Sequence, residues 1–71
     1  RYEDAIVHLE SLVKALPWDP IALCELGTLH ANLQRFERAR VCLERAVWIN
    51  PNYPPARENL RILQSLMDAK R

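Results

Sequence analysis

The side chains of this 71-residue sequence that could do chemistry are two cysteines, two histidines and nine carboxylates. They raise three possibilities: thiolate nucleophile, metal site and general acid–base pair. Their spacing favours none of these. Cys24 and Cys42 fall on the two arms of a helical hairpin turning near residues 34 and 35. Cys42 then stands opposite Gly27, about one turn from Cys24, whereas a disulfide needs Cα atoms within about 7 Å. Both thiols read as small buried fillers, which places the chain in the cytoplasm or another reducing compartment. Glu3, Asp4, Glu10, Glu37, Glu44 and Glu58 are spread over solvated faces and form no acid–base pair. Ten basic against nine acidic residues leave a net charge of +1, which gives no footprint for nucleic acid. The chemistry that remains is binding, by a protein with no cofactor and no catalytic set.

Elements that would position a binding surface are written in a fixed period. Thirty-four residues separate Pro17 from Pro51, Ala5 from Ala39, Leu9 from Leu43 and Tyr2 from Phe36. A period of this size means stacked supersecondary units that bury a shared core and expose extended surfaces. It also sets His8 and Cys42 one unit apart, a helix layer that disfavours a shared metal.

Leu23, Leu26, Gly27 and His30 stand at the spacing W-x2-L-G-x2-Y, followed by Ala39-x3-Leu43, Ala46 and Pro51. This resembles the tetratricopeptide repeat, a helix-turn-helix unit, with Leu23 in place of the large aromatic and His30 in place of tyrosine. The resemblance implies an all-α solenoid. It divides the chain into the second helix of a partial repeat (1–19), one complete repeat (20–53) and a further first helix (54–71). Such a piece starts mid-repeat, and Arg1 in the place of Met fits a fragment of a longer array.

Local cues place four helices near 2–16, 20–33, 36–49 and 55–70. Asp19 before Pro20 makes an N-cap followed by proline at the first helical position, where a missing N–H costs nothing. Pro51 ends the third helix by restricting Asn50. Leu23, Leu26, Leu29 and Leu33 recur at helical spacing, as do Phe36, Ala39, Leu43, Ala46 and Val47. Gly27, inside a helix at a cost of about 1 kcal/mol relative to alanine, implies a close helix crossing against Ala39. His30, replacing a packing aromatic, reads as a half-buried core histidine rather than a general base.

Composition agrees: 49% hydrophobic and 27% charged residues with one glycine suit a small helical domain rather than disorder or a turn-rich sheet. No apolar run reaches the eighteen or so residues of a membrane span, and no secretory leader pattern is present. A domain this short buries only about 60% of its unfolded surface, so help from neighbouring repeats or a partner is expected.

Four surfaces follow from the register. In the family the first helix of each unit lines a concave face, which maps to Ile21, Cys24, Thr28, Ala31 and Asn32 with Glu58, Asn59, Ile62 and Leu66. This lining is small and apolar; of the Lys, Asn and Arg with which some relatives clamp acidic tails, only Asn59 fits. A partner protein or peptide presenting an apolar helix or segment is the expected occupant. Tyr2, Ala5, Leu9 and Leu12 would pack on a preceding first helix, and as an uncovered row they suit self-association into a homo-oligomer. Arg57 and Arg61 stand 34 residues beyond Leu23 and Gly27. They read either as the charged back of a C-terminal capping helix, with Gln64 and Arg71 in water, or as a grip on an acidic partner. Trp48, where Lys14 stands one period earlier, is either a partner anchor or a lid over the turn that holds Trp18. An RNA-binding helical repeat is the third function class, disfavoured by the 34-residue period and the balanced charge.

Overall fold

A computed structural model describes residues 1–69. Its order is α1 (Tyr2–Ala15), α2 (Pro20–Asn32), α3 (Phe36–Ile49) and α4 (Pro54–Ala69). Among the described residues there is no strand. Neighbours in sequence pack on one another and α2 also meets α4, in a slab 35 × 29 × 14 Å across. The fold is an all-α helical repeat.

The period of the sequence is a period of backbone hydrogen bonds. Asp19 N–H donates to Leu16 C=O at 3.1 Å, and 34 residues on Tyr53 N–H donates to Asn50 C=O at 3.1 Å. Leu23 N–H to Asp19 C=O recurs as Arg57 N–H to Tyr53 C=O, at 3.3 and 3.4 Å. Asp19 takes up an extended conformation and its carboxylate accepts from Ile21 N–H at 3.0 Å, satisfying one of the unpaired donors at the start of α2. Asn50 is extended before Pro51, and its side chain accepts from Asn52 N–H at 3.1 Å.

The helix ends refine the expected bounds by a residue. α1 stops at Ala15 because Leu16 leaves helical geometry, at φ −130° and ψ 68°. α2 stops at Asn32, since Gln34 adopts a left-handed φ of 61°. Arg35 N–H then bonds His30 C=O and Gln34 N–H bonds Ala31 C=O, both at 2.9 Å, which is a Schellman closure. α4 begins at Pro54, one residue early. Its expected end at residue 70 and the solvation of Arg71 lie outside the described residues.

α2 is the sandwiched element, so it is apolar nearly all round. Leu23 and Cys24 join Ala39, Leu43, Ala46, Ala56 and Leu63 in one core with α3 and α4, while Leu26 joins Ile6 and Leu9 of α1 in another. Three alanines, Ala39, Ala46 and Ala56, are completely buried and let the backbones approach. Gly27 completes that approach. A Cβ on it would stand 2.9 Å from Leu43 Cγ, and 3.2 Å from both Ala39 O and Cys42 Cβ. The crossing partner of Gly27 is thus the backbone of Ala39 together with the Leu43 and Cys42 side chains. His30 is fully rather than half buried, and its Nδ1 has no hydrogen-bond partner. Burial, followed by the charge of Arg35, pushes its pKa down.

Candidate functional site

A cleft lies between α2 and α4. Thr28, Ala31 and Asn32 of α2 face Asn59, Ile62 and Leu66 of α4 across a cleft of about 180 Å³ floored by Leu43 and Leu63. Ile62 and Leu66 are each 46% exposed, a wet apolar wall. One polar relay fixes the cleft. Asn59 Nδ2 donates to Thr28 Oγ1 at 3.1 Å, and Thr28 Oγ1 donates to Cys24 O at 2.9 Å. The Asn59 amide oxygen accepts no bond from another described residue, so it is a free acceptor of the cleft.

Three of the expected lining residues lie elsewhere. Cys24 is buried, because Asn59 lies over it with Nδ2 3.6 Å from Sγ; desolvation pushes its thiol up, and the Asn59 contact works against that shift. Glu58 is ion-paired to Arg61 and borders a separate surface with Pro54 and Arg57. The turn spacing of α4 turns it away from Asn59. Ile21 is half exposed at the start of α2, beyond the cleft walls.

The row Tyr2, Ala5, Leu9 and Leu12 is not uniformly bare. Leu9 is buried and Leu12 half-buried, since Leu26 and Leu29 of α2 and Cys42 of α3 cover the inner side of α1. Tyr2 is 48% exposed. Ala5, His8 and Leu9 instead line a groove of about 500 Å³ together with Cys24, Glu25, Thr28 and Leu29 of α2 and with Tyr53, Pro55 and Asn59. Both cysteines are free; Cys42 is half-buried rather than buried, with its thiol pushed up chiefly by desolvation.

On the outer side, Trp18 and Trp48 stack at a centroid distance of 6.2 Å with planes 35° apart. Arg40 bridges Glu37 at 2.6 Å and Glu44 at 3.3 Å. Among the described residues no group of three His, Cys, Asp or Glu could hold a metal ion, and no helix is long and apolar enough to cross a membrane.

The tetratricopeptide repeat model matches residues 20–53, the span from Pro20 at the head of α2 to Tyr53 before α4. Residues 20–53 are a tetratricopeptide repeat. No curated protein and no solved structure matches the chain. Tetratricopeptide repeats are generally protein–protein interaction modules. Leu23, Leu26, Gly27, His30, Ala39, Leu43 and Ala46, the positions that signalled the repeat, are all buried. Pro51 alone is exposed, acting through the Asn50 conformation in the turn.

Proposed function

We propose that the chain binds an apolar helix or extended segment of a partner protein in the cleft between α2 and α4. The observation behind this is the Ile62–Leu66 wall facing Ala31 across a formed cleft, beside one free acceptor on Asn59. Apolar contact supplies affinity, and Asn59 sets register by accepting a backbone N–H. α4 also closes the array: Ala56, Leu60, Leu63 and Met67 pack inward while Arg57 and Arg61 face water. An isotope-edited NMR titration with an uncharged Leu/Ala amphipathic peptide tests the reading. Shifts should concentrate at Ala31, Asn32, Asn59, Ile62 and Leu66. Ile62→Ser should weaken binding about tenfold, from roughly 1.4 kcal/mol of lost burial, with an unaltered melt. Shifts elsewhere, or an unchanged affinity, would refute it.

A second reading, self-association, is supported by the groove between α1 and α2. The 34-residue register sets Ala5 and Leu9 where Ala39 and Leu43 receive α2, so the groove suits a helix. Sedimentation velocity should show mass rising with concentration, and Ala5→Glu should abolish the rise. A strict monomer at high concentration would end this reading.

A further inference from the structure

Trp18 and Trp48, the two tryptophans of the chain, are 68% and 75% exposed although their rings touch. Stacking therefore hides little of either ring, and a lid over the turn does not account for them. With Val41, itself half exposed, and Ile49 they border an open depression of about 390 Å³ on the outer side of α3. Aromatic side chains in such numbers on a surface mark contact anchors, because each brings a large rigid area at low entropic cost.

The depression itself is lined by one acid and one base, Glu44 and Arg45. Arg38, Val41, Arg45 and Trp48 follow one another at helical spacing along a single stripe of α3. Arg38 and Arg45 bond to no carboxylate among the described residues. Of the nearby acids, Glu44 is paired with Arg40, while Asp19 keeps its charge as it accepts from the Ile21 N–H. The cations left without a carboxylate partner beside the apolar centre are thus Arg45 in its lining and Arg38 further along the same stripe of α3.

None of this is inherited from the period. The matching stripe of α1 reads Asp4, Val7, Ser11 and Lys14, with no aromatic and no arginine. We propose that the Trp18–Trp48 face is a second docking surface, for an acidic segment of a partner protein that carries aromatic or aliphatic anchors. The tryptophans and Val41 take the anchors, while Arg45 and Arg38 take the carboxylates as charge-assisted hydrogen bonds. It lies on the second helix of the repeat and its leading turn, independent of the cleft between α2 and α4.

The site reports on itself, since all tryptophan emission of the chain arises there. The full chain is titrated with a tryptophan-free peptide alternating glutamate with leucine and phenylalanine, and with its lysine counterpart. A saturable emission shift with the glutamate peptide alone is expected, weakened at least about tenfold by Arg45→Glu or Arg38→Glu and by raised salt, and unchanged by Ile62→Ser. Circular dichroism verifies that each variant is folded. Four results would overturn the proposal: no saturable shift, equal response to the lysine peptide, no effect of either charge reversal, or a shift that follows protein concentration without peptide. The last would mean that a second copy covers the face.

Discussion

Giving Gly27 a single methyl group should destabilise the chain, although the intrinsic preference of a helix points the other way. Glycine to alanine in a helix interior gains about 1 kcal/mol by propensity. Against this, the new Cβ would stand 2.9 Å from Leu43 Cγ and 3.2 Å from Ala39 O. Neither neighbour can yield cheaply, since one is a branch point of a fully buried side chain and the other is helix backbone. Overpacking of this kind costs about 1–3 kcal/mol. Gly27→Ala should therefore lose up to about 2 kcal/mol net, and Gly27→Val more, because a β-branched residue recovers little propensity. At about 4–8 °C per kcal/mol for a domain of this size, the valine variant should melt at least several degrees lower. Urea titrations read by circular dichroism give the free energies. Leu43→Ala should cost less in the Gly27→Ala background than alone, as the methyl fills part of the vacated space. A Gly27→Ala variant with a raised urea midpoint would refute the reasoning, since propensity would then be acting without a steric penalty.

Three further outcomes concern the elements that hold the clefts in place. His30 is held neutral by burial, with a pKa below its ordinary 6.5. The unfolded chain therefore binds the extra proton between those two values, and stability should be full above about pH 6.5 and fall as pH drops below it; urea midpoints across pH 7.5 to 5.5 should show this, and His30→Phe should flatten the slope. Asp19→Ala should cost about 0.5–2 kcal/mol through loss of the Ile21 N–H bond, with Asp19→Asn retaining most of it, as thermal melts will show. Gln34→Gly should stabilise by up to about 1 kcal/mol, because a side chain at φ 61° is strained where glycine is not; a lowered melting temperature would contradict that.

Asp19, Pro20, Gly27, Asn50 and Pro51 made the helix order readable, since caps, proline restrictions and a packing glycine act over a few residues and leave marks in the sequence. The Schellman closure was not readable, because Gln34 carries no glycine to announce a left-handed turn. The cleft was legible as a set of periodic positions, and Thr28, Ala31, Asn32, Asn59, Ile62 and Leu66 do line it. Cys24, Glu58 and Ile21 share that pattern but not that place. Glu58 is one residue from Asn59, a rotation of about 100° that carries it to another face of α4, whereas Cys24 and Ile21 share the face of Thr28 but lie under Asn59 and beyond the cleft respectively.

By itself the sequence determined the helical class, the 34-residue repeat and the hairpin register, all consequences of local propensity and of a spacing that only stacked units satisfy. Only the tertiary structure decided which apolar residues stay wet. Exposure depends on how closely α1, α3 and α4 approach α2. Between α2, α3 and α4 that approach is set by Gly27, Ala39, Ala46 and Ala56, whereas Leu26 meets α1 and covers Leu9; Ile62, Leu66, Trp18 and Trp48 are left exposed.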